Sequence, residues 1–322
     1  MRAVIFHGPQ FEQEAPLIIQ TKQDPVPKDN ETIIRVKACA VCRTDLHIYE
    51  GELPDAKLPL VFGHQVVGID EKTGKRVGVP WLFSACGECV LCGRGRENLC
   101  DKAEFTGYTV NGGYADTMIA RSEFVHPIPD ALSDHEAAPL LCGGAIGMRA
   151  LWLSEAKKGS KLGLFGFGAS AHLVLQAANF LGMETYVFTR TRDHQKLAQS
   201  LGAKWVGDAQ GKPPHLLDSA IIFAPFGPLV PLALAKLAKG GTLALAGIHM
   251  SRIPAFDYNL LYHEKKITSV ANVTRKDVSQ CLELAAKAGI KPKVEVFPLK
   301  SADKVLQLVK KSKISGSAVL SI

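Results

Sequence analysis

Four cysteines crowd one short stretch: Cys86, Cys89, Cys92 and Cys100, spaced C-x2-C-x2-C-x7-C within SACGECVLCGRGRENLC. Four thiolates this close can close a tetrahedron around Zn2+ with no position left open, so the spacing predicts a structural metal site rather than a catalytic one. Two other readings remain. Free clustered thiols would be prone to oxidation, and the first three cysteines share the x2, x2 spacing of an iron–sulfur loop, although its usual fourth cysteine, three residues on and followed by proline, is missing. In a reducing compartment thiols persist, and clustered cysteines there point to metal binding or catalysis rather than to a disulfide framework. The N-terminal MRAVIFHG runs straight into strand-like sequence with no secretory pattern, so a cytoplasmic enzyme or binding protein is expected.

A chain of 322 residues, 47% apolar and 21% charged, has the balance of a globular protein and the length of about two domains. The net charge of +7 is scattered, its densest cluster being Lys310, Lys311 and Lys313, so no nucleic-acid partner is expected. Up to about Glu123 the sequence is a series of short β-like runs (AVIF, TIIRVKA, PLVFGHQVVGI, RVGVPWLF) broken by Gly, Pro and Asp, which predicts a barrel-like all-β domain.

From about Lys161 the pattern becomes strand, glycine turn, helix, strand. KLGLFGFG, ASAHLVLQAANFLG, ETYVFTR and DHQKLAQSLG are followed by the strand SAIIFA, a helix PLVPLALAKLAKGG, and the strands TLALAGI and KITSVAN. With Lys204–Val206 this gives about six strands, the number of a doubly wound parallel sheet. The tail reads as a helix, TRKDVSQCLELAAKAG, followed by β segments that return to the first domain. The domains are therefore expected at 1–137, 138–273 and 274–322.

Gly166, Gly168 and Ala171 form GxGxxA between a predicted strand and a predicted helix. The first glycine permits the tight turn, the second lets the backbone approach a pyrophosphate, and the small Ala171 allows close helix–strand packing. This also accounts for the uncharged segment from Leu162 to Met183, which matches a membrane span in length but is a strand, a turn and a helix. No membrane partner is expected.

Cys42 (CAVCRTDLH), His64 (FGHQVVG) and Cys142 (APLLCGGAIG) each end an apolar run. Alone, each reads as a packed thiol or a hydrogen-bonded core histidine. Together they offer two S and one N ligand and leave a fourth position for water or substrate, the arrangement of catalytic zinc.

With these pieces the sequence resembles the zinc-dependent medium-chain alcohol dehydrogenase family. The resemblance is carried in order by VCRTDLH, GHQVVG, the four-cysteine loop, NGGYAD, APLLCGG and GFGASA, with GIHMS and SVANVTR similar to a bacterial branch. It implies an α/β architecture: a GroES-like β-barrel catalytic domain carrying both zinc sites, with Cys142 at the junction, and a Rossmann doubly wound sheet. Two Zn2+ per chain are implied, one catalytic on Cys42, His64 and Cys142, one structural on Cys86, Cys89, Cys92 and Cys100. Asp45 would orient the His64 ring, Thr44 would hydrogen-bond the reacting alcohol, His47 would end a proton relay, and Arg43 would contact the cofactor pyrophosphate.

The sequence departs from the family in three places. Gln65 stands where a Glu usually follows the zinc histidine. The loop between Gly68 and Val77 is short, with Lys75 in place of a frequent Asp. Ser317 stands where relatives often place a second pyrophosphate arginine.

Cofactor choice turns on the residues after ETYVF. An acid there binds the ribose 2′-OH of NAD, but this chain has Thr189, Arg190, Thr191 and Arg192. A guanidinium favours a 2′-phosphate, so NADP(H) is preferred, with NAD(H) accepted as the alternative because Asp193 is close. Ile248 falls in the segment that aligns with the nicotinamide carboxamide contact. Trp81 and Leu53 are candidate walls of the substrate pocket; Cys39, His172, His249 and Cys281 read as structural or solvent-facing.

The expected function is hydride transfer between NADP(H) and an alcohol or aldehyde at a catalytic zinc, by a homodimer or homotetramer. The alternatives are a zinc-free quinone or enone reductase, a branch that lacks the three catalytic ligands and usually the Cys loop, and a non-enzymatic NADP(H)-binding redox sensor, which would keep the GxGxxA turn and the Cys loop but not need the relay.

Overall fold

The computed structural model describes residues 1–8, 17–53 and 55–322. The chain divides into two compact units, one formed by Met1–Ala145, Asn272–Ala286 and Pro292–Ile322, the other by Ile146–Ala271 and Lys287–Lys291.

The first unit is rich in antiparallel strands. Its main sheet orders His126–Pro127, Arg76–Val79, Val66–Asp70, Glu31–Val41, Ser317–Ser321 and Val294–Pro298, and Thr117–Arg121 pairs along the first half of the long strand Glu31–Val41. That strand shows why: Ile34, Val36, Ala38, Cys39, Ala40 and Val41 are all buried, the early part alternating and the later part covered on both faces. The C-terminal strand Ser317–Ser321 inserts antiparallel to Glu31–Val41, pairing Leu320 with Cys39. A smaller sheet orders Ile18–Thr21, Arg2–Phe6 and Leu60–Val61. The helix Arg43–Tyr49 begins directly after the long strand.

The second unit carries six parallel strands in the spatial order Trp205–Gly207, Glu184–Phe188, Lys161–Phe165, Leu217–Ile222, Leu237–Leu245 and Lys266–Ser269. Counted along the chain this is 3-2-1-4-5-6, the doubly wound order expected from the sequence. Strand order reverses between Lys161–Phe165 and Leu217–Ile222, and a crevice at their C-terminal ends is where such sheets bind ligands. The aromatic rings of Phe165 and Phe188 stack at 4.1 Å across the first pair of strands.

Two elements differ from the sequence reading. The helix expected over PLVPLALAKLAKGG covers only Leu229–Leu234. Leu237 already pairs with Leu217, and the register then jumps so that Thr242 opposes Ser219. Gly240, at φ +73°, and Gly241 favour this looped-out segment over a helix. The C-terminal β segments also enclose a helix that the sequence reading missed, Ala302–Lys310, which buries Ala302, Val305 and Leu306 at helical spacing. Among the described residues, no helix is long and apolar enough to cross a membrane.

Candidate metal and nucleotide sites

The three-ligand cluster is built where the strand Glu31–Val41 hands over to the helix Arg43–Tyr49. Cys42 is the N-cap of that helix, with extended backbone (φ −113°, ψ 157°). Its N–H donates to Asp45 Oδ2 at 2.9 Å, one half of a capping box that holds the start of the helix. His64 lies between the strands Leu60–Val61 and Val66–Asp70 and is fully buried. Cys142 follows the short helical turn Ala138–Leu141. The donor atoms of Cys42, His64 and Cys142 lie within 4.8 Å of one another.

Asp45 organises this cluster. Fully buried, it accepts from the Cys42 N–H, from His64 Nδ1 at 3.0 Å and from the Tyr114 hydroxyl at 3.1 Å. Because Asp45 accepts at Nδ1, His64 presents Nε2 toward any metal, and Nε2 is a buried atom with no hydrogen-bond partner. An orphaned imidazole nitrogen beside two thiols is the donor set that zinc completes. Burial alone would lower the His64 pKa, but the Asp45 charge and hydrogen bond override it and carry it to about 10. The hydrogen bond with Cys142 draws the Cys42 thiol well below its ordinary range, helped by His64 and opposed by burial. Burial, with Asp45 beside it, holds the Tyr114 phenol protonated, so it stays a donor.

Tyr114 was missed as a site residue even though NGGYAD stood out as a motif. Its ring is the reason position 63 is glycine: at φ +98°, a Cβ there would sit 2.4 Å from Tyr114 Cδ1 and 2.7 Å from Cys39 Sγ. Gln65, 3% exposed, accepts the N–H of Gly143 at 3.2 Å through Oε1 and so fixes the chain just after Cys142.

Thr44 and His47 are one turn apart on the helix, and both are nearly buried. The Thr44 hydroxyl lies 3.6 Å from Cys42 Sγ. His47 Nδ1 pairs with the Glu52 carboxylate, which is 40% exposed. Glu52 was also missed; the local signal was an acid just past the end of the helix that carries His47. Trp81 packs edge-on against His64 at 4.8 Å and stacks on Phe105 and Tyr108. Leu53 is half-buried against the same core. Arg43 is exposed, its guanidinium 3.5 Å from the Val309 carbonyl oxygen. Ser317 is buried in a strand and supplies no cation.

In the four-cysteine loop, all four Sγ atoms lie within 4.8 Å of one another. The Cys86–Cys100 and Cys86–Cys92 sulfur separations are 3.5 and 3.9 Å. A tetrahedron with Zn–S bonds of ~2.3 Å requires about 3.8 Å, so the loop already has the dimensions of a thiolate metal site. Backbone N–H groups of Glu88 and Cys89 lower the Cys86 thiol to about 6, while burial and then Cys89 push Cys92 up to about 12.

The nucleotide elements lie in the second unit. Gly166 ends the strand Lys161–Phe165 at φ +87°, where a Cβ would meet Ala224 at 3.0 Å. At Gly168 a Cβ would meet nothing within 4 Å, which leaves the backbone open for a pyrophosphate. Ala171 is fully buried as the first residue of the helix Ala171–Phe180. After the strand Glu184–Phe188, Thr189 is buried while Arg190 and Arg192 are exposed; the Thr191 hydroxyl caps the helix Arg192–Ser200 by accepting from His194. Ile248 is 49% exposed after the strand Leu237–Leu245.

A family model described as the alcohol dehydrogenase GroES-like domain matches residues 28–130. A protein named "Probable alcohol dehydrogenase AdhA" from Mycobacterium tuberculosis is 42% identical over 322 residues, spanning 95% of this chain and 93% of its own length. An alcohol dehydrogenase from Geobacillus stearothermophilus is 34% identical over 329 residues, spanning 95% and 96%. Among solved structures, a cobalt- and zinc-bound thermostable alcohol dehydrogenase from Pyrobaculum aerophilum shares the fold with a TM-score of 0.89 at 22% identity, covering 100% of this chain and 99% of its own.

Proposed function

Because the chain belongs to the zinc-dependent medium-chain alcohol dehydrogenase family, we propose that it oxidises an alcohol, or reduces the matching aldehyde, by hydride exchange with NADP(H). One observation carries the reading: His64 is oriented by Asp45 so that its orphaned Nε2 joins the sulfurs of Cys42 and Cys142. These three residues would hold the catalytic Zn2+, and Cys86, Cys89, Cys92 and Cys100 a structural one.

Zinc supplies a Lewis acid toward the alcohol or carbonyl oxygen, and the nicotinamide supplies or takes the hydride. The chain's own residues do the rest. Asp45 fixes the His64 tautomer and the Cys42 backbone together, so two ligands move as one unit. Gln65 holds the backbone beside the third. The buried Thr44 hydroxyl holds the substrate proton, and His47 carries it on toward Glu52, whose exposed carboxylate exchanges with water. Trp81, packed on His64, excludes water from one side.

Gly166, Gly168 and Ala171 would receive the pyrophosphate, and the family resemblance implies a cofactor contact for Arg43. Thr189, Arg190 and Arg192 would receive the 2′-phosphate, which is the basis for preferring NADP(H) over NAD(H), and the Ile248 segment the carboxamide. The assembly is read as a homodimer or homotetramer, which light scattering decides. A panel of alcohols and aldehydes assayed with NADPH and NADH side by side tests the whole reading. Stoichiometric NADPH binding with no turnover across the panel would reject it.

A further inference from the structure

We infer that Asn272 is a positioning residue that couples the four-cysteine loop to the aromatic wall beside His64. Its amide is used at both ends. Oδ1 accepts the indole N–H of Trp81 at 3.0 Å, and Nδ2 donates to the Asn98 carbonyl at 3.0 Å. Asn98 is 1% exposed in the turn Glu97–Leu99, between the thiols of Cys92 and Cys100. Trp81 meets the His64 ring edge-on at 4.8 Å. Three contacts therefore run from the thiol loop to a ligand of the other cluster.

The backbone is arranged for this role. Asn272 has φ +53°, a left-handed conformation that asparagine adopts far more readily than most residues other than glycine. Two residues later, Thr274 and Asp277 cap the helix Arg275–Ala288 reciprocally, the Thr274 N–H donating to Asp277 Oδ2 at 2.8 Å and the Asp277 N–H to Thr274 Oγ1 at 3.1 Å. Arg275 then grips the same turn through Glu97, with its N–H at 2.9 Å and its guanidinium at 2.7 Å from the carboxylate. Segment 272–275 thus holds the turn at two points, and Asn272 extends the hold to Trp81.

Phe105 and Tyr108 stack on Trp81 with interplanar angles of 24° and 16°, which restrains the tilt of its ring. The hydrogen bond at Nε1 is directional and adds a restraint within the plane. A metal-held loop thereby sets the place of the ring that packs on His64.

This inference rests on the proposed reading of Cys42, His64 and Cys142 as the reacting centre, yet its test needs no turnover. With Trp152→Phe and Trp205→Phe, Trp81 becomes the sole tryptophan reporter. Adding Cys42→Ser leaves the four-cysteine loop as the intact metal site, and the full chain is loaded with Zn2+ alone.

Asn272→Gly keeps the left-handed backbone and removes both bonds. Acrylamide quenching of Trp81 should rise, and Zn2+ should pass to a chromogenic chelator about fivefold faster, the scale of one lost hydrogen bond. Asn272→Asp keeps an acceptor for the indole and loses the donor to Asn98, so quenching should rise less than in the Gly variant while metal release accelerates. Parent-like quenching in the Gly variant overturns the inference. So does parent-like metal release in the Asp variant, which decides alone if the Gly variant does not fold. If no alcohol is oxidised by the unsubstituted enzyme, the functional reading fails while these two readouts still stand.

Discussion

His64 donates its Nδ1–H to Asp45 Oδ1 across 3.0 Å, with both side chains fully buried. In Asp45→Asn the amide cannot accept from His64, Cys42 and Tyr114 together, because its NH2 is turned toward at least one donor. Zinc affinity at Cys42, His64 and Cys142 should fall about 10–100-fold, the usual cost of losing such a partner, with the four-cysteine site unchanged. Tyr114→Phe removes one of the three donors and should cost only a few-fold. Chelator competition on each variant measures both effects.

Metal analysis of the purified enzyme should give two Zn2+ per chain. Cys42→Ser should leave one and abolish alcohol oxidation, since a hydroxyl is a far poorer zinc ligand than a thiolate. One zinc in freshly purified, well-folded parent protein would remove the three-ligand site from the account.

What sequence could reach here follows from distance along the chain. The thiol loop, the GxGxxA turn and the alternation of strand and helix are local patterns, and the six-stranded parallel sheet together with a unit rich in antiparallel strands is the fold class they imply. Asp45 lies three residues from Cys42, within one capping turn. The Trp81–Asn272 bond spans 191 positions, so no periodicity or spacing could announce it. Tyr114 is 69 positions from Asp45 and lies outside the helix that carries it, so no local pattern joins the two. The helix Ala302–Lys310 was hidden by its lysines, which mask an apolar stripe of Ala302, Val305 and Leu306.

Arg190 and Arg192 are both exposed beside the end of the strand Glu184–Phe188. If they bind a 2′-phosphate, the double substitution Arg190→Ala and Arg192→Ala removes charge-assisted bonds worth about 1.5–3 kcal/mol each to charged groups. The KM for NADPH should rise at least 10-fold, and that for NADH should change less than twofold. Equal losses for both cofactors would move the 2′ contact elsewhere.

His126 is not among the proposed metal ligands and makes a pH prediction of its own. It is 4% exposed, its Nδ1 meets Ser279 Oγ at 3.0 Å, and Nε2 has no hydrogen-bond partner among the described residues. Burial, and then the Arg275 charge, lower its pKa from 6.5 to about 4. The folded pKa is depressed, so between these values the unfolded chain binds a proton that the folded protein refuses. Stability is therefore full above about 6.5 and falls as pH drops toward 4, by about 1.4 kcal/mol per unit. The Glu97 carboxyl, held below its ordinary 4.5 by Arg275 against the effect of burial, adds its own loss only at lower pH. Urea unfolding at pH 7 and pH 5 should show the parent losing about 2 kcal/mol more than His126→Gln, whose side chain does not titrate. Acid-driven metal loss affects both proteins alike and cancels in the difference. Parallel losses in the two proteins would mean that His126 is not the group responsible.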